Sequence, residues 1–285
     1  MSAQIMRDYN FPDGHKIILG KRTLIMGILN LTPDSFYDGG TWATVDKALR
    51  RMDEMAAEGA DIVDIGAEST RPGAKTITPN EEWKRLEKLL IRLHNRAPLP
   101  VSLDSYNPIT AKQAAEMKAV HLLNDVKGLQ QEDSPGAMAK VVAEYKLPVV
   151  VMYNEREQSQ PGDVMGSMAN FFRRSIAIAK HNNVPMENII LDPGIGFNKT
   201  PREDVHILHN LADISTVDGT SYPVLVGASR KKFIKEILGV DVRERLEGTL
   251  AASLWSVMAG AQILRVHDVK EHVRICRMWE AIKDG

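Results

Sequence analysis

Eight short β-rich runs, each closing on a polar residue and each separated from the next by a helical pattern, constrain this 285-residue chain more than any other feature. The runs are 24–29, 62–65, 101–103, 122–123, 149–152, 189–191, 224–226 and 263–266. Several are apolar throughout, as expected of strands buried on both faces. Amphipathic stretches at 45–57, 81–93, 108–117, 136–145 and 168–181 are long enough to be crossover helices. Strand and helix alternating eight times predict an α/β fold with parallel strands, closed into a (β/α)8 TIM barrel. An open doubly wound sheet is the alternative, but the strand count and the lack of any linker or domain break favour closure. The expected organisation is one barrel domain over 1–285, in which 1–22 forms a short N-terminal β-hairpin and 23–285 the barrel. A Pro-Asp-Gly turn between apolar residues marks that hairpin, expected beneath the barrel floor.

The polar residues that end the runs matter most for function. They are Asn30, Asp64 with Glu68, Asp104, Asn124 with Asp125, Asn154, Asp192, Ser229 with Arg230 and Lys231, and His267 with Asp268. In a barrel these positions meet at the C-terminal mouth, where barrel enzymes keep their sites. One Asp or Asn after a strand is usually a helix cap; eight such endings together point to a hydrogen-bonding cup, and so to a small-molecule enzyme. The balance of 36 Lys and Arg against 37 Asp and Glu argues against nucleic-acid and membrane-surface partners, which need a basic face. No apolar run approaches the roughly 20 residues of a membrane span, and the first residues, MSAQIMRDYN, lack an apolar signal core. With a single cysteine, Cys276, no internal disulfide can form, and a cytoplasmic location is expected.

Asp104, Asn124, Asp192 and Lys231 follow four different strands and so can converge on one ligand. Two carboxylates, an amide and an ammonium suit a heteroaromatic ring with both donors and acceptors, such as a pterin or purine. A metal site is the competing reading; no His or Cys pair has ligand spacing, and carboxylates alone would suit Mg²⁺ rather than zinc. Arg71, Arg230, Lys231, Arg265 and His267 supply local positive charge after strands two, seven and eight. Arg265 and His267 share strand parity and should point inward, either as a buried ion pair or, with Arg71, as a diphosphate site. "DPGIGFNKT" lacks the third glycine of a dinucleotide fingerprint. The apolar stretch 250–259, with Trp255 and Met258, reads as a buried helix or a face against a second subunit. The loop after the first strand, "LTPDSFYDGG", sets aromatics among acids and hydroxyls, more than a plain surface loop needs.

The motifs "MGILNLTPDSFYDGG", "DIGAESTRPGA", "VSLDSY", "LLNDVKGL", "LDPGIGF", "LVGASRKKF" and "LRVHDV" occur in an order that closely resembles the dihydropteroate synthase family, across nearly the whole barrel. The resemblance implies condensation of (7,8-dihydropterin-6-yl)methyl diphosphate with para-aminobenzoate in folate biosynthesis, by a dissociative substitution. It implies a pterin held by Asp104, Asn124, Asp192 and Lys231 with Met152 against its face, and a diphosphate held by Asn30, Arg71, Arg265 and His267, with Asn30 also meeting Mg²⁺. The aminobenzoate would lie beside Thr70, Pro72, Ser229 and Phe36. Asp38, Phe36, Arg71 and Lys231 are the catalytic group so implied, with residues 31–40 and 69–78 as closing loops. Homodimerisation through the last helices and competition by sulfonamides are further implications. Departures from the family pattern are Ala67, where a second glycine is usual, Tyr153, where many members have His, and Leu31 for Val. The competing activities are a methyltetrahydrofolate–corrinoid methyltransferase of the same superfamily, which has no need of Arg71, Arg265, His267 and the Thr-Pro-Asp-Ser-Phe loop, and a non-catalytic pterin-binding protein.

Overall fold

A computed structural model describes residues 5–31, 42–68, 77–94, 96–155 and 163–285. The chain opens with an antiparallel hairpin, β1 (Arg7–Asn10) and β2 (Lys16–Leu19), in which Arg7 pairs with Leu19 and Asn10 with Lys16. Then β3 (Leu24–Asn30), β4 (Ile62–Gly66), β5 (Val101–Asp104), β6 (Leu122–Asp125), β7 (Val149–Met152) and β8 (Ile189–Asp192) follow, each beside the last and parallel to it. A minor hairpin, β9 (Thr216–Val217) and β10 (Thr220–Ser221), precedes β11 (Leu225–Val226) and β12 (Ile263–Val266). Strand β12 lies between β11 and β3, and a parallel bridge from Leu191 to Val224 joins β8 to β11. The eight strands therefore close, which excludes the open sheet. The runs extend further than their apolar parts: Asn30, Asp104, Asn124, Asp125 and Asp192 are the last strand residues rather than the first loop residues.

The helices are α1 (Trp42–Glu58), α2 (Pro79–Leu93), α3 (Pro108–Glu116), α4 (Ala137–Tyr145), α5 (Val164–His181), α6 (Pro201–His209), α7 (Leu211–Ile214), α8 (Lys232–Leu238), α9 (Leu246–Met258) and α10 (Val269–Asp284). Local chemistry sets several starts. Thr78 and Thr200 each form a reciprocal capping box with a Glu three residues on and are followed by Pro, so α2 and α6 begin sharply. Asp163 accepts from the Gly166 N–H and starts α5 four residues before its apolar periodicity does.

Strand alternation divides the interior in two. One parity, including Val63, Leu103, Val151, Leu191 and Leu264, packs against the helices. The other points into the barrel, and its lowest layer is Leu24, Met26, Ile62, Leu122, Val150, Ile190, Leu225 and Ile263. Tyr9, Ile17 and Leu19 of the hairpin seal that layer from below, and the Tyr9 hydroxyl donates to the Glu187 carbonyl. The hairpin is thus an apolar plug under the barrel floor.

Candidate functional site

Two residues above the apolar layer the same inward columns become charged. On β12, Ile263 is followed by Arg265 and then His267; on β4, Ile62 by Asp64; on β6, Leu122 by Asn124; on β8, Ile190 by Asp192. Arg265, Asn124 and Asp192, with Asp104 at the end of β5 and Lys231 preceding α8, converge on a single pocket that Met152, Phe197 and Gly227 also line, and Asp64 is joined to it through Arg265. Asp104, Asn124, Met152, Asp192, Lys231 and Arg265 were all expected at the site from sequence, and the fold brings all six together.

The electrostatics are those of a dry cup. Arg265 spans its floor, donating from Nε to Asp64 Oδ2 at 2.6 Å and from Nη2 to Asp104 Oδ2 at 2.7 Å. The inward parity expected of Arg265 is therefore met, and its partners are two buried carboxylates. Burial pushes Asp104 above the usual carboxylate range even with the guanidinium beside it, and the two carboxylates hold Arg265 charged. Burial raises Asp192 to about 6, while its Oδ1 accepts from the Gly194 N–H at 2.7 Å. Lys231 is lowered to about 8 by burial and then by Arg265. Its Nζ lies 3.9 Å from the centroid of the Phe197 ring. The free space left is about 20 Å³, room for about one water. Asn124 donates to Asp64 at 3.1 Å, yet Asn124 Oδ1 and Asp64 Oδ1 are buried without a hydrogen-bond partner. Asn124 lines the pocket, so a polar ligand there would satisfy its Oδ1.

Ser229 and His267, expected at different subsites, are joined directly. Ser229 Oγ accepts from the His267 backbone N–H at 3.2 Å and lies 3.0 Å from His267 Nδ1, so this hydroxyl fixes the orientation of the ring. Burial, then Arg265, lowers His267 to about 4, so the ring is a neutral donor near pH 7. Asn30 ends β3, half-buried, in register with Gly66. Phe36, Asp38, Thr70, Arg71 and Pro72 lie outside the described residues.

Three strand-end residues do other work. Asp125 points away from the cup and accepts from the N–H groups of Lys127 and Leu129, organising its own loop. Arg230, counted among the cations of the mouth, is held by Asp268 through two bonds of 2.9 and 2.7 Å. Asn154 accepts from Asn198. Asp64 was expected only as one polar strand ending of the cup, and Phe197 and Lys199 were given no role from sequence. The parity of Asp64 with Ile62 was the available signal for the first; nothing local marks Phe197. Tyr153, replacing the family's frequent His, is buried edge-on against Phe171, and Ala67 is buried with its carbonyl accepting from Arg85.

Among the described residues, one group of metal-ligating side chains clusters, Asp13, His15 and His121, at the opposite end of the barrel. His121 Nδ1 accepts from the Val101 N–H at 2.9 Å, which leaves the ring proton on Nε2, donated to Asp13 Oδ2 at 2.8 Å. A ring whose two nitrogens are so used has no lone pair for a metal; this is a carboxylate–imidazole latch. At the mouth, Asn30, the residue expected to meet Mg²⁺, offers one amide oxygen at the end of β3. One protein oxygen fits an ion that is carried mainly by phosphate oxygens and water.

The sequence profile of the family described as "Pterin binding enzyme" matches residues 26–267. A dihydropteroate synthase of Clostridium beijerinckii is 42% identical over 265 residues, which cover 93% of this chain and 96% of that one. The chain belongs to the pterin-binding enzymes, among the dihydropteroate synthases. The dihydropteroate synthase of Bacillus subtilis is 40% identical, covering 92% of this chain and 89% of its own. Among solved structures, the dihydropteroate synthase of Clostridium difficile in the presence of pteroic acid superposes with a TM-score of 0.86 at 39% identity, covering 93% of this chain and 98% of that one. That of Xanthomonas albilineans with 4-aminobenzoic acid gives 0.86 at 36% identity, covering 95% and 96%. That of Yersinia pestis with a sulfonamide drug gives 0.85 at 34%, covering 98% and 100%.

Proposed function

We propose that this chain condenses (7,8-dihydropterin-6-yl)methyl diphosphate with para-aminobenzoate, giving 7,8-dihydropteroate and diphosphate. The observation that carries the reading is the convergence of Asp104, Asn124, Asp192 and Lys231 on one buried pocket, with Asn124 Oδ1 left unsatisfied. A pterin supplies donors to the carboxylates and to that oxygen, and a ring carbonyl to Lys231. Room for the ring comes from Lys231 leaving the Phe197 face and Met152 packing against the pterin.

The diphosphate meets Asn30, Arg71, Arg265 and His267. Mg²⁺, which Asn30 would help hold, would supply charge neutralisation of the leaving group. The methylene C–O bond breaks with its electron pair leaving on diphosphate, and the electron-rich dihydropterin carries the resulting cation. The arylamine nitrogen, seated by Thr70, Pro72, Ser229 and Phe36, then forms the C–N bond and releases a proton to solvent. Closure of the loops 31–40 and 69–78 keeps water from the cation, and Asp38 stabilises it electrostatically. Sulfonamides, bound by the Yersinia pestis relative, would compete for the aminobenzoate seat.

The same reading makes the protein a cytoplasmic homodimer, in which hairpin and barrel together form one pterin-binding domain. The lone thiol, Cys276, is buried and pushed up to about 12 by burial, which suits a reducing compartment. The dimer rests on α9, whose burial is inverted: Thr249, Ser253 and Ser256 face inward while Trp255 is 46% and Met258 52% exposed. The expected buried helix is therefore half exposed on its apolar side, and with Ile237 and Leu238 of α8 it forms an apolar face suited to a second copy.

The test is diphosphate release from the pterin diphosphate with Mg²⁺, with and without para-aminobenzoate, for the parent and for Lys231→Met. Release coupled to dihydropteroate formation in the parent and strongly reduced in the variant is the expected result. Pterin binding without release in the parent would overturn the reaction while leaving the pocket.

A further inference from the structure

Lys199 takes no part in the site described above, yet its ammonium is fully engaged next to it. Nζ donates to the carbonyls of Gly194 at 2.8 Å, Phe197 at 2.8 Å and Tyr153 at 3.3 Å, and lies 4.6 Å from the centroid of the Tyr153 ring. All three of its protons are thereby used. The carbonyls belong to two segments: the loop from β8 to α6, and the residue that follows β7.

That loop is the part of the pocket with the least regular backbone. Gly194, Gly196 and Asn198 all have positive φ, at 63°, 76° and 50°. A Cβ at Gly194 would sit 2.1 Å from the Tyr153 carbonyl, so the turn is pressed against the end of β7. At its start Asp192, the last residue of β8, presents its carboxylate, and from the loop Phe197 presents its ring, both lining the pocket. Pins other than Lys199 are few: Gly194 N–H to Asp192 and Gly196 N–H to Asp204, each 2.7 Å, and the Asn198–Asn154 bond, also 2.7 Å. Among the described residues, Lys199 alone ties the turn's own carbonyls to the residue that follows β7.

We propose that Lys199 is a positioning residue for the pterin: it locks the Gly194–Phe197 turn against the end of β7 and sets its charge beside Asp192, keeping that carboxylate ionised to receive the ring. The inference rests on the pocket being the pterin site. The groups facing Asp192 are Lys231, Arg265 and Lys199, all cationic, and those facing Lys199 are Asp204, Asp192 and Glu203. Losing one of the three cations moves the protonation of Asp192 upward, since burial already opposes its charge. A purely structural lysine would change stability without moving that titration.

The experiment is calorimetric titration of (7,8-dihydropterin-6-yl)methyl diphosphate with Mg²⁺ into parent, Lys199→Met and Lys199→Arg between pH 5 and 8, with steady-state kinetics at saturating para-aminobenzoate. For Lys199→Met the expected result is pterin affinity and KM worse by about 10-fold or more, kcat within about threefold of the parent, and the acid limb of pterin binding shifted up by about half a pH unit or more. Lys199→Arg restores the limb because it keeps the charge. If Lys199→Met does not fold, Lys199→Gln carries the same test of the limb. Binding by Lys199→Met or Lys199→Gln at parental affinity and with the parental limb would overturn the inference. A parent that binds no pterin would instead overturn the pocket assignment, so the two failures are distinct.

Discussion

Replacing Arg265 with Met tests the electrostatic floor of the cup. The guanidinium lies 2.6 Å from Asp64 and 2.7 Å from Asp104, with Asp64 0% and Asp104 8% exposed. Methionine replaces much of the methylene stem and removes the charge, so two buried carboxylates lose their cation at once. Breaking a buried pair from one side costs about 3–5 kcal/mol. The cost carries a sign in pH. Burial already raises Asp104 beside Arg265, and without the guanidinium it rises further. The native variant then keeps a proton on Asp104 at pH values where the unfolded chain, with an ordinary carboxylate near about 3.9, has lost it. A native state that binds more protons loses stability as pH rises, by up to about 1.4 kcal/mol per pH unit until the folded pKa is passed. Urea unfolding followed by far-ultraviolet circular dichroism should therefore show Arg265→Met less stable than the parent by about 3–5 kcal/mol at pH 8 and by about 1 kcal/mol less than that at pH 5, since Asp104 is already raised in the parent and the difference grows only above that value. An equal penalty at both pH values, or a larger one at pH 5, would refute the assignment of the loss to unpaired buried carboxylate charge.

Other consequences are as concrete. Pterin affinity should be greatest between about pH 6 and 8, falling on the acid side as Asp192, raised to about 6, takes a proton and on the basic side as Lys231, lowered to about 8, loses one; calorimetry across that range checks both limbs, and Asp192→Asn should abolish the acid one. Burial lowers His121, and protonating its Nδ1 would set two donors face to face at Val101, so stability from this ring is present above its unfolded value near about 6.5 and falls as pH drops below it. Asp13→Asn, which weakens the latch itself, should cost about 1–3 kcal/mol by urea unfolding, and a cost under about 0.3 kcal/mol would contradict the latch. Trp255→Glu should convert a dimer to a monomer by light scattering at micromolar concentration; a monomeric parent would contradict the interface. Asp38→Ala should slow turnover at saturating substrates, and full turnover would remove Asp38 from the cation's stabilisation.

The fold was legible because its signal is periodic. Eight apolar runs at the pitch of β–α units admit few closed arrangements, and strand parity alone put Arg265 and His267 on the inward face. What parity cannot supply is the reach of a side chain. Arg265 and Asp64 are 201 positions apart in sequence, and only closure of β12 against β3 and β4 makes them neighbours. Asp125 was misplaced for the opposite reason: it adjoins Asn124, and one residue along a strand reverses the face. Phe197 and Lys199 sit in a turn built from positive-φ residues, where spacing says nothing about direction. The inverted helix α9 misleads any reading by hydropathy, since its small hydroxyls are inside and its Trp and Met outside.

The two ends of the barrel depend on each other through solvent. Asp64, Asp104, Asn124, Asp192, Lys231 and Arg265 form a charged layer directly above eight apolar side chains, and the hairpin closes those side chains from below with Tyr9, Ile17 and Leu19. Water entering from the floor would rehydrate the layer, and the shifts of Asp192 to about 6 and Lys231 to about 8, both caused first by burial, would relax toward ordinary values. The charges would remain but bind less strongly, because each interaction weakens as the local dielectric rises. The Asp13–His121 latch, at the opposite end from the pocket, fastens the hairpin that seals this floor. Loosening the plug and removing a cup charge should therefore have opposite effects on the acid limb of pterin binding: the first lowers it by hydrating Asp192, and the second raises it by stripping away a cation.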